Sequence, residues 1–419
     1  MFSAYSMLRP SEIFIPCSEI LGRWSAADFD RRACKEALAR VIEERRLPAY
    51  LFSPEEIDHG GMAATPALLF DIHARPRDWF WWFLGVPGQK AFACEIAADG
   101  AAGPAEVLRT AAKVDRIEAL AEILDLEDLS PLMSEAFRAA YQDDAPFGVW
   151  RAPRAPGLYR REHASLVIRS STTTILTDPQ ALTMAWTTAH GRYPAQREAF
   201  SPDAIALTHG HDDHWSLASA LAAAGSRETP ILVPQVPRVN LLCPEDFSAT
   251  LGAVGQRALA PGWGDMATVG DIEIEVLPFY GEQPTRQAPG CDPALRNWGN
   301  CYRFDCPEFS ALILVDSGVD PAGNAIDAIA RSVAKRGPID IVLSCCHGFP
   351  EGINTGLAHY ALALPFSRLE EIHRQSRKGH REMMTLGPSG VAEACRAAGA
   401  RYFLQIGRAS CRERVFITV

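Results

Sequence analysis

The chain has 419 residues, a formal net charge of −10 and 47% hydrophobic residues. That length accommodates two or three domains, and the apolar fraction suffices for a packed α/β core. The acidic balance argues against a broad nucleic-acid footprint, which needs a basic face. Neither Met1 to Cys17 nor any later stretch is apolar for long enough to read as a signal peptide or a membrane span. The 11 cysteines are odd in number and scattered, which fits reduced thiols in a cytoplasmic protein better than a disulfide framework. The adjacent pair Cys345-Cys346 falls in a buried-strand pattern and reads as core thiols.

Residues 1–153 differ in character from the rest and read as an α+β N-terminal domain with a docking or dimerisation role. Ala26 to Arg46 is amphipathic and predicts a helix, as do Lys113 to Leu126 and Pro131 to Tyr141. Thr65 to His73 and Gln89 to Ile96 are strand-like. The aromatic block from Arg77 to Phe83 suits core or interdomain packing better than a partner-docking face. Ala145 to Gly157, with Pro146, Pro153 and Pro156, is the linker.

A second domain, 154–405, follows a strand–turn–helix rhythm. Leu158 to Ile168 and Thr173 to Leu176 read as paired strands, and Ala204 to Leu207 as a short buried one. Trp215 to Ala224 is a helix capped by Gly225. Ile231 to Pro234, Asp271 to Phe279, Phe309 to Val315 and Ile339 to Ser344 are further strands, the last two apolar enough to be covered on both faces. Leu386 to Ala398 is a helix before a final strand, Arg401 to Gln405. The tail 406–419 reads like the translation of a short sequencing adapter and is set apart from the fold.

The chemistry is concentrated in Thr208-His209-Gly210-His211-Asp212-Asp213-His214, directly after Ala204-Ile205-Ala206-Leu207. Three imidazoles and two carboxylates this close would repel and desolvate one another without a metal. The spacing H-x-H-x-D-H suits two metals, with His209 and His211 facing one, and Asp213 and His214 turned to the other. Other donors follow apolar runs at strand ends: Asp178 after Ile175-Leu176-Thr177, Asp316 after Leu312-Ile313-Leu314-Val315, and His347 after Val342 to Cys346.

This succession of T-D-P, T-H-x-H-x-D-H, V-D-S-G and C-H-G resembles the metallo-β-lactamase superfamily over roughly residues 157–405. The resemblance implies an αββα sandwich with metals at the strand ends, following a separate N-terminal domain. It also implies Asp316 as a bridging carboxylate, His347 as a donor to the second metal and Asp178 as an orienting group behind the ligands. Zinc hydrolases of this superfamily carry a third histidine for the first metal after the strand corresponding to Asp271–Phe279. Here no histidine occurs between His214 and His347. Glu282, just past that strand, is the best-placed donor; Asp265 and Asp292 are further from a strand end, and Glu273 and Glu275 lie within the strand. A degraded, water-filled site is the competing reading.

With Glu282, each metal receives two imidazoles and one terminal carboxylate, a set that suits non-haem iron. This variant resembles the di-iron non-haem β-hydroxylases typified in chloramphenicol biosynthesis, which also carry an extra N-terminal domain. That resemblance implies two iron ions, O2 as co-substrate and hydroxylation of the β-carbon of an amino-acyl group tethered to a carrier protein. An external electron donor is implied because no flavin or nicotinamide fingerprint is present. The alternative is a two-zinc hydrolase: a lactonase, phosphodiesterase or amidase. His163 reads as a hydrogen-bonded core histidine or as an orienting group near the metals, and Arg286, Arg296 and His359 as candidate substrate contacts. No nucleic-acid or membrane partner is expected, and a homodimer is left open.

Overall fold

A computed structural model of the chain describes residues 2–3, 10–71, 79–84, 92–97, 105–106, 109, 149–150, 154–161, 163–179, 197–198, 201–211, 213–282, 292–350, 358–407 and 416–418. The expected helices Lys113–Leu126 and Pro131–Tyr141 and most of the expected linker lie outside these residues.

The N-terminal region is helical where one amphipathic helix was expected. Helix α1 spans Pro10–Ala26 and α2 spans Arg31–Glu44. Asp28 and Phe29 break the path at φ 52° and 58°, and Asp30 restarts it by accepting a hydrogen bond from Ala33 N. Thr65 to His73, read as a strand, instead contains a π-helical turn, Ala67–Asp71. Leu68, Leu69 and Phe70 are all buried there, and a short apolar run does not reveal its period. Strands β1 (Phe2–Ser3), β2 (Trp79–Leu84) and β3 (Phe92–Ala97) form a small antiparallel sheet. Strand β4 (Val149–Trp150) pairs with β8 (Arg197–Glu198).

Two larger sheets build the rest. The first joins β5 (Gly157–Arg160), β6 (Leu166–Arg169), β7 (Thr174–Thr177), β9 (Ala204–Ala206), β10 (Ile231–Leu232) and β11 (Ala258–Leu259) in the order β11-β10-β9-β7-β6-β5. The second comprises β12 (Met266–Val269), β13 (Ile272–Pro278), β14 (Asn300–Asp305), β15 (Ser310–Val315), β18 (Ile341–Ser344), β19 (Tyr402–Gln405) and β20 (Phe416–Thr418), paired in that order. A short hairpin, β16 (Val319–Asp320) with β17 (Gly323–Asn324), follows β15. Leu166, Ile168, Ile175, Ala204, Ala206 and Leu232 of the first sheet share one buried cluster with Ile272, Ile274, Tyr302, Phe304 and Ile313 of the second. Alternate residues of each strand point inward, so the faces of the two sheets close over this core.

Helices cover both outer faces. Helix α3 (Leu217–Ala224), capped by Ser216 and Gly225, packs by β9, and α4 (Phe247–Ala253) by β11. Helix α5 (Ala325–Arg336) lies against β13. Helices α6 (Ala358–Leu362) and α7 (Phe366–Arg377) follow, and then α8 (Gly387–Ala398), which lies against β18. The result is the expected αββα sandwich. Ile406, the first residue set apart as tail, is buried in its core, so the packed fold extends past Gln405.

The N-terminal helices are joined to this sandwich by a second apolar cluster containing Ile20, Leu21, Trp24, Leu38, Val41, Leu362, Phe366 and Leu369. Trp24 meets Phe366 edge-on at 5.2 Å, and its indole N–H donates to Cys34 O. Arg31 pairs with Glu370 at 2.6 Å. Helix α1 therefore backs α6, whose other side reaches the site described next. Among the described residues no helix is long and apolar enough to cross a membrane, and the cysteines with described side chains are free thiols.

Candidate metal centre

The site forms where strands of both sheets end and their chains turn away. Strand β9 delivers His209, His211, Asp213 and His214; β7 delivers Asp178; β13 delivers Glu282; β15 delivers Asp316. These turns are strained. Of the seven described non-glycine residues with positive φ, four are at the site: His163 (54°), Asp178 (38°), Glu282 (52°) and Val315 (43°). A β-branched residue such as Val315 avoids that region, and a register shift in the pairing of β15 with β18 lies at the same place. Strain concentrated in this way is characteristic of positions held by their surroundings for function.

Close backbone approach also matters. Gly299 bridges to His209, and a Cβ there would sit 2.8 Å from the Phe279 ring and 3.0 Å from His209 Cβ. Gly281 has φ 91°, and a Cβ would meet Met384 O at 2.0 Å. Both positions require glycine.

Among the described residues three overlapping groups of donor atoms result, each with its atoms within 4.8 Å of one another: His209, His211 and Glu282; His209, His214 and Asp316; and His163, Asp213 and His214. In the first, Glu282 Oε2 lies 2.9 Å from His211 Nδ1 and 3.3 Å from His209 Nε2. In the second, Asp316 Oδ2 lies 3.1 Å from His214 Nε2 and 3.8 Å from His209 Nε2, between the two halves. In the third, His163 Nε2 lies 3.0 Å from Asp213 Oδ2.

Orienting contacts fix which nitrogen faces inward. Asp178, fully buried, accepts from Thr208 N at 2.8 Å and Thr208 Oγ1 at 2.6 Å, and pairs with His214 Nδ1 at 2.8 Å. His214 therefore carries its Nδ1 proton toward Asp178 and turns Nε2 inward, as in carboxylate–histidine–metal triads. His209 Nδ1 is 3.1 Å from Thr208 Oγ1, and its ring stacks on Phe279 at 4.9 Å. His211 is reversed: Nδ1 faces the centre, and Nε2 is 3.0 Å from the Tyr360 hydroxyl on α6. Asn297 Nδ2 donates to Glu282 Oε2 at 3.2 Å.

The electrostatics are those of a site suited to a cation. Burial disfavours a charged His211, but Glu282, Asp213 and Asp316 outweigh it and hold its pKa up to about 9. His214 is opposed by burial and raised well above the usual imidazole value by Asp213, Asp178 and Asp316. His209 is lowered by burial and by the neighbouring His214. Burial likewise opposes a charged Glu282, yet His211 and His209 bring its pKa down to about 2. His214 Nε2 is enclosed without a hydrogen-bond partner, although carboxylate oxygens surround it. A buried nitrogen left in that condition costs about 1–3 kcal/mol, and a metal ion would remove the cost. Imidazole and carboxylate donors in these proportions fit a transition-metal pair.

Not every residue singled out in the sequence joins the cluster. His347 is in none of the three donor groups; its N–H donates to Cys345 Sγ, and its carbonyl accepts from Thr385 Oγ1 at 2.6 Å. Arg296, read as a candidate substrate contact, is held within the fold. Its buried guanidinium donates to Asp320 Oδ2 at 2.8 Å and lies 5.1 Å from the rings of both Trp263 and Trp298. Asp320 in turn accepts from Gly281 N at 3.0 Å, which holds the turn leading to Glu282. Arg286 lies outside the described residues. His359 is beside Tyr360, ring to ring at 4.7 Å, and Tyr360 is the residue that reaches His211. Sequence reading missed Tyr360 and Asn297. Nothing in the pattern of α6 marks Tyr360, whereas Asn297 directly follows Arg296, which the sequence had singled out.

Comparison with known proteins agrees with this architecture. A family profile described as the beta-lactamase superfamily domain matches residues 158–310. No curated protein matches the chain. Among solved structures, CmlA, a diiron beta-hydroxylase from Streptomyces venezuelae, aligns with TM-score 0.54 and 14% identity, over 97% of this chain and 88% of that one. A point mutant of the CmlA beta-hydroxylase aligns with TM-score 0.50 and 17% identity, over 76% of this chain. That second alignment spans 56% of the relative's length. The chain has the metallo-β-lactamase fold, preceded by a helical N-terminal region, and resembles CmlA in architecture.

Proposed function

We propose that the protein is a di-iron oxygenase that hydroxylates the β-carbon of an amino-acyl group carried on a carrier-protein domain. The observation that carries this reading is Glu282. Its Oε2 lies 2.9 Å from His211 Nδ1 and 3.3 Å from His209 Nε2, where a zinc hydrolase of this fold would present a third imidazole. One iron would be held by His209, His211 and Glu282, the other by Asp213 and His214, with Asp316 near both. The three carboxylates offset the charge of an oxidised iron pair, which a third neutral imidazole would not do. Likeness to CmlA in fold and in the helical leader supports the same reading.

When bound, the iron pair would supply oxygen activation, inserting one oxygen atom into a C–H bond while the other leaves as water. Two electrons and two protons are required for that balance, and an external donor would provide the electrons. The residues around the site do the positioning. Asp178 and Thr208 hold His214 and His209 in single tautomers, Tyr360 holds His211, and the Arg296–Asp320 pair holds the turn before Glu282. Phe279 covers His209 and excludes water from that side.

The test is metal content with turnover. Purified protein should hold about two irons per chain, absorb in the near ultraviolet and visible when oxidised, and convert an aminoacyl-loaded carrier to its β-hydroxy product. Stoichiometric zinc, taken up with both metals available, together with lactonase, phosphodiesterase or amidase turnover would refute this reading and favour hydrolysis.

A further inference from the structure

We propose that His163 is a protein donor to the second metal, in the position that sequence resemblance assigns to His347. The inference rests on the two-metal reading above and completes its second half. His163 sits in the turn between β5 and β6, far in sequence from the histidine cluster, yet its Nε2 is 3.0 Å from Asp213 Oδ2. Its ring meets that of His214 at 5.2 Å and 71°, an edge-to-face arrangement in which two imidazoles converge on a point without stacking.

Two buried nitrogens without hydrogen bonds flank Asp213: His163 Nε2 and His214 Nε2. His163 Nε2 lies 3.0 Å and His214 Nε2 3.9 Å from Asp213 Oδ2, and the three donor atoms lie within 4.8 Å of one another. Two imidazole nitrogens and one carboxylate oxygen converging in this way form the donor set of a single transition-metal ion.

Backbone geometry points the same way. His163 is held at φ 54°, a region that a side-chain-bearing residue enters only when its surroundings require it. That conformation is shared with Asp178 and Glu282, which also turn inward at the site. His347, by contrast, is anchored by Cys345 Sγ and Thr385 Oγ1, and its ring lies 6.2 Å from that of Phe349, outside all three donor groups.

Cobalt(II) titration of the metal-free full-length protein, followed by visible ligand-field absorption and equilibrium dialysis, tests this without reference to activity. Wild type should bind two ions per chain. His163→Asn is the least disruptive replacement, because asparagine tolerates positive φ. It should keep the first ion and weaken the second by more than the roughly 10- to 100-fold cost of losing an orienting partner. His347→Ala should keep both ions and the wild-type spectrum. Should His163→Asn fail to fold by circular dichroism, His163→Gln carries the same expectation. Two ions bound by the His163 variant with wild-type affinity and spectrum, or loss of the second ion from His347→Ala, would overturn the proposal. Fewer than two ions in wild type would overturn the two-metal reading, and this proposal with it.

Discussion

Replacing Asp178 with asparagine separates metal binding from folding, because the two side chains have the same shape and differ in one donor group. Asp178 accepts two hydrogen bonds from Thr208 and pairs with His214 Nδ1. In Asp178→Asn the remaining carbonyl oxygen still accepts from Thr208 N, and the Thr208 hydroxyl can turn to accept from the new amide. His214 cannot adapt at no cost. Its Nδ1–H would face an N–H, so the proton moves to Nε2, the nitrogen that lies 3.1 Å from Asp316 Oδ2. A proton there blocks coordination.

The expected loss is about 10- to 100-fold in affinity for the second metal, equivalent to about 1.4–2.8 kcal/mol. Metal-free stability should fall by no more than about 1.5–3 kcal/mol, the worth of one hydrogen bond to a charged group. Asp178→Ala, which strands buried donors and breaks a buried pair, should cost about 3–5 kcal/mol. Chelator competition measures the first quantity and thermal or urea unfolding of metal-free protein the second. Wild-type affinity for both ions in Asp178→Asn would refute the idea that Asp178 sets the His214 tautomer.

Other expectations follow from the same geometry. Glu282→His should shift metal retained after growth with iron and zinc toward zinc and abolish oxygenase turnover; unchanged iron content, read by elemental analysis, would count against Glu282 as a ligand. Metal binding at pH 7 should release about two protons, since His211 and His214 are charged in the metal-free site and must be neutral to ligate, whereas His209 is already neutral. Above pH 9 the His211 share disappears, because the free imidazole has then lost its proton before metal arrives. Calorimetry in buffers of different ionisation enthalpy reads both numbers, and a pH-independent release near zero would contradict the assignment. Tyr360→Phe removes the hydroxyl 3.0 Å from His211 Nε2 and should weaken the first metal about tenfold while leaving the second unaffected. Trp24→Ala should cost about 3–5 kcal/mol in unfolding experiments, because the indole is fully buried between α1 and α7.

The sequence by itself determined the sandwich and most of the cluster, for local reasons. Apolar runs bounded by turns announce strands such as Ser310–Val315, and a histidine–aspartate spacing at a strand end is a short-range signal of metal chemistry. The missing histidine after β13 could also be read directly, and with it the candidacy of Glu282. What the chain could not reveal depends on contacts between distant segments. Ala67–Asp71 coils into a helical turn because its consecutive apolar side chains pack inside a cluster shared with α6 and α7. Arg296 is withdrawn from solvent by Asp320, 24 residues away. Tyr360 reaches His211 from helix α6 and His163 reaches Asp213 from a turn held at φ 54°, contacts between segments far apart in the chain that no residue pattern encodes. Donor types are written in the sequence, whereas which donors converge is decided by how two sheets close on one another.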